Sequence, residues 1–490
     1  MKETISKNLF LNSVTCPTLG WRLRSGEVPK QPLTLGQRFR MEQGGEIAKR
    51  ARNLFPDGVL VPTHDLERAI ADTASLIRVG GPSVLFEATF NADGYVAKAN
   101  VLKRTDDTWH LIEVKSSTNL NQERIDDLAY TLMVVTQAGL KISKASLLLI
   151  SKDFRLGMDD SKLFVEYDCT ADALARVAWF QPYWKIVDEQ ISATAMPEPS
   201  LIAHCKDCQI FSDCVGKDVE NHILELPRLS SKKREALRCL GVSRIEAIPQ
   251  DFELTVPQNR VRQAVVTGRP WVGPDLKTRL SEIRWPAHYL DFETTMTAIP
   301  LFAEMAPYSQ LPTQYSIHTC SAIGKVQSHK KYLSDPRRDS RRDLAQALIA
   351  DLAGEGSVVT YSNFEKNTIN GLRDLFPDLT TELDSIAGRM FDLEAVIRGN
   401  YYHQAFHGST SVKATLPAIG GISYDALNIR DGDSASATFA YMAMGRYDDH
   451  ETESLRKDLL AYCAQDTFAM VKLHEQLYHV SVSNEEIVSV

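Results

Sequence analysis

Two carboxylates in an otherwise apolar stretch constrain this chain most. The segment that starts at position 287 reads Ala-His-Tyr-Leu-Asp-Phe-Glu, so Asp291 and Glu293 stand two residues apart. Side chains of a β-strand alternate between two faces, which places both acids on one face and Leu290 and Phe292 on the other. Like charges on a half-buried face repel each other, and a pair of divalent cations would compensate them. The segment therefore predicts a strand that carries a cation site.

Two later segments add acidic positions at a strand–helix junction and on a helix. Residues 358–365 read Val-Val-Thr-Tyr-Ser-Asn-Phe-Glu, an apolar strand that runs into Glu365 at the start of a helix. Tyr462 and Asp466 are four residues apart and share one helix face. The apolar residues around them form one stripe, as on a helix with a single buried side. A buried aspartate beside that stripe needs a partner, and a metal ion is the natural one.

In this order the three motifs resemble the DnaQ-like exonucleases, which have a ribonuclease-H fold. Those enzymes combine a strand Asp-x-Glu, a middle acid and a helical Tyr-x-x-x-Asp. The spacing of Tyr462 is similar to that of the DEDDy branch, whereas the DEDDh branch would have a histidine where Ala461 stands. The middle acid is usually an aspartate in the family. Here Glu365 takes that place, and Asp392, in a Phe-Asp-Leu segment, is the alternative.

This resemblance implies a phosphodiester hydrolase that uses two Mg²⁺ or Mn²⁺ ions. Asp291 would bridge both ions, Glu293 and Asp466 would hold one, and Glu365 would act on the second. Tyr462 would orient the attacking water. The expected activity is 3′ to 5′ exonucleolysis of DNA or RNA that is single-stranded or has free ends.

A second motif lies in the first half of the chain. Residues 95–102 alternate like a strand, and after a Thr-Asp-Asp turn the residues from 109 read Trp-His-Leu-Ile-Glu-Val-Lys-Ser-Ser. Glu113 and Lys115 share one face of that second strand. A hairpin with Glu-x-Lys resembles the core of PD-(D/E)XK nucleases, in which acids hold a divalent metal and the lysine positions or activates water. Both residues are therefore catalytic candidates.

The remaining ligands that this resemblance implies depart from the family pattern. Asn100 occupies the strand position of the family's metal-binding Asp, and a neutral amide is a poorer ligand for a hard cation. Glu46 is the candidate on the upstream helix and Glu42 is the alternative, although both also fit a solvated helix face. The implied metal set is thus Glu46, Asn100 and Glu113. Either this domain has lost cleavage or the residue was substituted deliberately.

Four of the eight cysteines predict a cofactor site. Cys205, Cys208 and Cys214 form one cluster, and Cys16 precedes the hairpin. In a cytosolic chain, clustered cysteines suggest metal or iron–sulfur ligation before disulfides. One cysteine before the nuclease core and three after it resemble the RecB-type nucleases, including CRISPR-associated ones, in which four thiolates hold a 4Fe-4S cluster. Structural zinc is the alternative, with His204 in place of Cys16.

A chain of 490 residues is too long to fold around a single hydrophobic core, so we expect an α/β chain of two or three domains. Residues 1–220 predict a PD-(D/E)XK, restriction-endonuclease-like domain with the cluster. Residues 221–285 predict a helical linker or a helix-hairpin-helix, and residues 286–490 a ribonuclease-H-like mixed sheet with flanking helices. The same fused order is found in a group of bacterial proteins that this chain resembles.

Composition limits the function classes without choosing among them. Hydrophobic residues are 43% and charged residues 24%, as in ordinary soluble proteins, and no apolar run has the length of a membrane span. We expect a cytoplasmic protein without an export signal or a membrane partner. The net charge of -8 does not argue against a nuclease, because metal-binding carboxylates add negative charge. The prediction is a nuclease, as in DNA repair or phage defence. The alternative is a degenerate nucleic-acid-binding or scaffold protein.

Overall fold

The computed structural model describes residues 4–28, 31–62, 65–78, 81–419 and 423–488. It confirms the α/β class, because helices and mixed sheets occur throughout the described chain. The chain divides into two units. Unit 1 is Met1–His204 with Met296–Ser309, and unit 2 is Cys205–Thr295 with Gln310–Val490. The segment 221–285 and the cysteine cluster both belong to unit 2.

Unit 1 is built on one sheet, which has seven strands within the described residues. The strands are β1 (Ile5–Ser6), β2 (Val59–Leu60), β3 (Val84–Ala92), β4 (Tyr95–Thr105), β5 (Thr108–Val114), β6 (Ile142–Ile150) and β7 (Phe164–Asp168). The helices are α1 (Lys7–Thr15), α2 (Pro17–Ser25), α3 (Leu35–Arg52), α4 (Leu66–Leu76), α5 (Gln122–Gln137), α6 (Thr170–Phe180) and α7 (Tyr183–Ile191). The strand order is β2-β3-β4-β5-β6-β7, with β1 paired to the start of β4.

The hairpin predicted between residues 95 and 117 is present. Strands β4 and β5 pair in antiparallel fashion, and Thr105 is the partner of Thr108 across a two-residue loop. Asp106 in that loop has φ of 52°. Two-residue hairpin loops need positive φ to match the twist of the strands, and aspartate tolerates it better than most residues.

A cluster of aromatic side chains forms the centre of the core in unit 1. Phe10 of α1 is fully buried, and its ring lies 5.9 Å from that of Tyr95 and 5.2 Å from that of Phe180, both edge to face. The ring of Tyr130 is 5.3 Å away. Such pairs contribute about 1 kcal/mol each beyond the burial of their area. They fix α1, α5 and α6 against one face of the sheet.

Unit 2 contains a five-stranded sheet and a two-stranded sheet among the described residues. Its strands are β8 (Trp271–Val272), β9 (Ala287–Thr295), β10 (Leu311–Ala322), β11 (Lys325–Leu333), β12 (Val358–Thr360), β13 (Met390–Asp392) and β14 (Tyr401–Tyr402). Its helices are α8 (Ser231–Cys239), α9 (Val256–Thr267), α10 (Leu276–Leu280), α11 (Arg341–Asp351), α12 (Phe364–Leu375), α13 (Thr380–Ala387), α14 (Leu393–Asn400), α15 (Val412–Ile419), α16 (Gly432–Ala443) and α17 (Asp449–Val488).

The larger sheet has the order β11-β10-β9-β12-β13. Strands β9, β10 and β11 are antiparallel neighbours, whereas β12 pairs parallel with both β9 and β13. Leu290 and Phe292 of β9 are buried with Tyr315 and Ile317 of β10 in the core that α11, α12 and α13 cover. The alternation of β9 thus leaves its acids on the opposite face.

That opposite face carries α17, the longest helix of unit 2. Before α17 begins, the Asp448 carboxylate accepts from the Glu451 backbone N–H at 2.7 Å, and the Glu451 side chain accepts from the Asp448 N–H at 3.0 Å. This reciprocal pair satisfies donors at the helix start. Over the described residues, no helix combines the length and apolar character that crossing a bilayer requires.

Candidate active site

Three carboxylates from β9 and α17 converge in unit 2. Asp291, Glu293 and Asp466 each offer an oxygen, and these oxygens all lie within 4.8 Å of one another. They form the one group of three or more metal-ligating side chains found among the described residues. The sequence placed these acids on one strand face and one helix face, and the fold brings the two faces together.

The electrostatics of this group are unfavourable without a cation. Burial, with Asp466 and Glu293 as neighbours, raises the pKa of Asp291 well above its usual range. Burial and Asp466 do the same to the pKa of Glu293. Burial raises the pKa of Asp466 to about 6 against the opposing effect of hydrogen bonds and Lys413. Each shift shows that a negative charge here lacks compensation.

Glu365 is the fourth carboxylate of the site. It lies in the first turn of α12 and is 2% exposed, and its charge is one of the smaller causes of the raised pKa of Asp291. Burial raises its pKa to about 8, with Asp392 as a smaller cause. Its Oε2 atom is buried and has no hydrogen-bond partner within the described structure. A buried acceptor in that state is costly unless something binds it.

Asp392, the alternative middle acid, has a different local task. It ends β13 and caps α14, because its Oδ1 accepts from the Ala395 backbone N–H at 2.9 Å. Such a cap stabilises a helix by about 1 kcal/mol. Of the two acids, Glu365 is the one whose charge contributes to the raised pKa of Asp291.

Two tyrosines lie beside Asp466. Tyr462 lies one turn earlier on α17 and is 3% exposed, and the charge of Asp466 contributes to its raised pKa. Tyr424 donates its hydroxyl to Asp466 Oδ1, and the two rings lie 6.0 Å apart. Burial, followed by the charge of Asp466, raises the pKa of both phenols, so they remain protonated donors.

Lys413, on α15, supplies a positive charge beside the acids. Its ammonium lies 5.9 Å from the centres of both tyrosine rings and donates to the Arg430 carbonyl at 3.3 Å. The charge of Lys413 opposes the rise in the pKa of Glu293 and of Asp466. The residue is exposed, so its ammonium is accessible from solvent.

Sequence reasoning missed Lys413, Tyr424 and Cys463. The first two lie between residues 412 and 431, in a short helix and a loop with no strand or helix period that points to the site. Gln465 donates to the Ser423 carbonyl at 3.3 Å, which places this loop against α17. Cys463 is fully buried, and its sulfur lies 3.6 Å from Asp291 Oδ2. In the sequence it reads as one of the apolar residues of the helix stripe.

The four carboxylates fit divalent cations. Carboxylate oxygens are the ligands that Mg²⁺ and Mn²⁺ prefer, and the converging charges and the unpartnered Glu365 oxygen are what such ions would neutralise. Asp291, Glu293, Asp466 and Glu365 would hold them.

In unit 1, Glu113 and Lys115 lie in a cluster of four charges. Glu113 is 3% exposed, and its Oε1 accepts from Lys7 at 2.8 Å and lies 3.1 Å from the ammonium of Lys115. Lys115 also donates to Asp127 on α5. Burial disfavours the charged form of Lys115, but Glu113 and Asp127 outweigh burial and raise its pKa. Lys7 and Asp127 were not candidates in the sequence.

The other predicted ligands of unit 1 have partners of their own. Asn100 accepts from the Val114 backbone N–H at 3.0 Å and donates to Glu87 at 3.3 Å. Glu46 pairs with Arg50 on the same helix at 3.1 Å. Glu42, one turn earlier on α3, is exposed. Within the described residues, neither Glu46 nor Glu113 belongs to a group of three metal-ligating side chains.

The three clustered cysteines lie in consecutive turns. Cys205 is in a 3₁₀ helix (Ala203–Asp207), and the Cys208 backbone N–H donates to its carbonyl at 3.3 Å. Cys214 follows a second 3₁₀ helix (Phe211–Asp213). These residues are in unit 2, and Cys16, which is buried, is in unit 1. The iron–sulfur cluster stays a prediction, as does the zinc alternative with His204.

The middle segment contains the Leu-Gly-Val turn after α8. Gly241 has φ of 70°, and its N–H donates to the Arg238 carbonyl at 3.0 Å, while the Val242 N–H donates to the Leu237 carbonyl at 2.9 Å. These bonds close the end of α8. The N–H groups of Gly241 and Val242 are therefore occupied within the turn, and the helix-hairpin-helix stays a prediction.

A family model matches the part of the chain that contains the β9 acids. A family described as "Domain of unknown function (DUF2779)" matches residues 288–411, which include Asp291, Glu293 and Glu365. The chain is 24% identical over 223 residues to "Uncharacterized protein MG366 homolog" of Mycoplasma pneumoniae. It is 24% identical over 227 residues to "Uncharacterized protein MG366" of Mycoplasma genitalium. In each case the match covers 41% of this chain and 33% of the relative, so the chain spans about a third of the curated relatives that it matches.

Proposed function

We propose that this protein is a metal-dependent nuclease whose unit 2 carries a 3′ to 5′ exonuclease site. The observation that carries the proposal is the convergence of Asp291, Glu293 and Asp466 within 4.8 Å, from a strand and a helix. Three buried or half-buried carboxylates at that separation raise the free energy of the folded chain by mutual repulsion and loss of hydration, and divalent cations offset both effects. In a phosphodiester hydrolase such cations stabilise the charge on the attacking and leaving oxygens of the substrate.

Three further features support the DEDDy type. The antiparallel strands β9, β10 and β11 with parallel β12 and β13 form a mixed sheet with helices on both faces, as expected for a ribonuclease-H-like domain. Glu365 provides the fourth carboxylate from the start of α12. Tyr462 lies one helical turn before Asp466, and its ring is 6.0 Å from the ring of Tyr424, which donates to Asp466. For unit 1, the paired strands and Glu-x-Lys favour a PD-(D/E)XK-like fold.

The proposed reaction adds one water across a terminal phosphodiester and releases a nucleoside 5′-monophosphate, leaving a new 3′-hydroxyl. Bound Mg²⁺ or Mn²⁺ would stabilise the charge on the attacking and leaving oxygens. The chain's own groups position the reactants. Tyr424 holds Asp466 in one orientation, Tyr462 would orient the attacking water, and the accessible ammonium of Lys413 binds a substrate phosphate.

Lys413 offsets the repulsion between the carboxylates and a substrate phosphate. Four carboxylates repel an approaching polyanion until divalent cations neutralise them, and a further positive charge beside them favours the binding of a phosphate. Lys413 is exposed and close to both tyrosines, which suits that role. A nucleic acid with a single-stranded end, DNA or RNA, is the substrate class that this arrangement fits.

A time course on end-labelled single-stranded DNA and RNA with Mg²⁺ or Mn²⁺ tests the proposal. We expect a ladder of progressively shorter products that EDTA abolishes. Asp291→Asn and Asp466→Asn should remove at least about two orders of magnitude of rate, because each deletes a charged ligand. Tyr462→Phe should be milder, since it deletes only a hydroxyl that would orient the attacking water. Glu453→Gln, on the exposed side of α17, is the matched control.

Metal-independent products, or equal rates in the wild type and both aspartate variants, would contradict the proposal. The alternative function is a nucleic-acid-binding or scaffold protein that does not cleave. The neutral Asn100 in unit 1 favours it. In that case the wild type would bind labelled ends without shortening them.

A further inference from the structure

The Glu-x-Lys site of unit 1 contains a cation that belongs to the chain. Lys7, the first residue of α1, places its ammonium 2.8 Å from Glu113 Oε1 and 3.8 Å from Asp127 Oδ2. Lys115 contacts the same two carboxylates. Two ammonium groups therefore alternate with two carboxylates, and the four formal charges cancel.

This arrangement pairs one oxygen of each carboxylate with ammonium groups of the chain, whereas the second oxygen of Glu113, Oε2, is buried and has no hydrogen-bond partner within the described structure. Glu113 Oε1 is shared by both lysines, and Asp127 Oδ2 is likewise close to both. A divalent ion placed here would add two positive charges to a site that is already neutral. It would also lie among two ammonium groups, which repel it strongly at such short range.

Asn100 is not poised to receive a metal either. Its Oδ1 accepts from the Val114 N–H, and its Nδ2 donates to Glu87 Oε1. Glu87 has φ of 56°, a conformation that is costly for a residue with a side chain, so the contact is held by its surroundings. An aspartate at position 100 would bring a second carboxylate within about hydrogen-bond distance of Glu87.

We infer that Lys7 is the resident cation of this site and that unit 1 takes no divalent metal there. The metal that the PD-(D/E)XK resemblance implies does not fit the residues present. The inference is independent of the exonuclease proposed for unit 2. It also adds a requirement: replacing Asn100 alone does not restore a metal site, because Lys7 still neutralises Glu113.

Counting bound Mn²⁺ in the full-length chain tests this. The background is Asp291→Asn with Asp466→Asn, which removes ligands from the unit 2 site and keeps unit 1 intact. Free Mn²⁺ is measured by electron paramagnetic resonance during titration of the background, Lys7→Met, Asn100→Asp and the combination of both. The matched control for Lys7→Met is Lys98→Met, which removes an exposed lysine on β4.

We expect no Mn²⁺ in the background or in Asn100→Asp, and about one ion per chain when Lys7→Met is added, with Glu113 and the new aspartate as ligands. The Mn²⁺ affinity should differ by at least about tenfold between Asn100→Asp and the combination. Lys7→Arg combined with Asn100→Asp should not bind Mn²⁺, because arginine keeps the positive charge beside Glu113. Binding in Lys7→Met alone would also support the assignment.

Three results would overturn the inference. One is Mn²⁺ binding in the background that Glu113→Gln removes. Another is binding by Asn100→Asp as tight as in the combination, and the third is no binding by a folded combination, with folding checked by circular dichroism. The background measurement keeps the inference falsifiable even if the combination does not fold, since it leaves unit 1 unaltered.

Discussion

The pKa of Glu365 predicts that metal-free protein loses stability as the pH rises. Burial raises that pKa from an ordinary value of 4.5 to about 8 in the folded chain. A carboxyl with a higher pKa when folded binds more protons in the folded state than in the unfolded state. Its stabilising effect is therefore complete below the unfolded value and is lost as the pH rises toward the folded value. The window is thus about pH 4.5 to 8.

The magnitude follows from the same shift. One pKa unit corresponds to about 1.4 kcal/mol, so ionising Glu365 fully in the folded chain costs about 5 kcal/mol. Between pH 5 and pH 8 the expected fall in the free energy of unfolding from this residue is about 3 kcal/mol. Asp466, whose pKa is raised to about 6, adds to the fall in the lower part of the range.

Glu365→Gln isolates this contribution, because the amide keeps the shape and does not ionise. We expect urea unfolding in EDTA, followed by tryptophan fluorescence, to show a fall from pH 5 to pH 8 that is smaller by about 3 kcal/mol than in the wild type. Glu382→Gln, an exposed position in α13, is the control and should behave like the wild type. Saturating Mg²⁺ should stabilise the wild type at pH 8, by about 3 kcal/mol at a hundred times Kd.

Parallel pH curves for the wild type and Glu365→Gln would refute this reasoning. They would mean that the charge of Glu365 is already compensated in the metal-free protein. If the pH dependence persists unchanged in saturating Mg²⁺, the ionisation of Glu365 is not linked to metal binding at the proposed site.

Two further predictions concern Lys413 and the cysteines. Lys413→Met should raise KM for single-stranded substrate by about tenfold with a smaller change in kcat, because it removes a phosphate contact; Lys457→Met, exposed on α17, is the control, and an unchanged KM would contradict the role. Protein purified without oxygen should contain iron and acid-labile sulfide, and Cys208→Ala should remove both. Stoichiometric zinc without iron would contradict the iron–sulfur prediction.

The sequence predicts the parts of the site that depend on local periodicity. Alternation along β9 separates Asp291 and Glu293 from the core residues Leu290 and Phe292, and the structure shows that separation. The helical stripe around Cys463 predicts the position of Asp466 in the same way. The α/β class follows from these patterns and is confirmed.

Other parts depend on contacts that no local pattern encodes. Lys7 and Glu113 are 106 positions apart, so only the fold shows that a lysine of α1 neutralises the acid of β5. Tyr424 lies 42 positions from Asp466, in a loop. Glu365 and Asp392 both follow short strands in the sequence, and only the cap that Asp392 forms on α14 and the burial of Glu365 near the charge of Asp291 distinguish them.

The detour of residues 296–309 has a practical consequence for anyone who wishes to study the two units separately. These residues follow β9, and within unit 1 Ala298 donates to Gln43 at 3.0 Å and the Tyr308 hydroxyl donates to the Ser116 carbonyl at 2.7 Å. The backbone therefore passes between the units three times, and no single proteolytic cut or truncation yields two intact halves. A fragment that ends at His204 lacks the core residue Ala298. A fragment that starts at Cys205 contains residues 296–309 without the rest of unit 1, to which they belong. Complementary fragments would therefore have to be produced together.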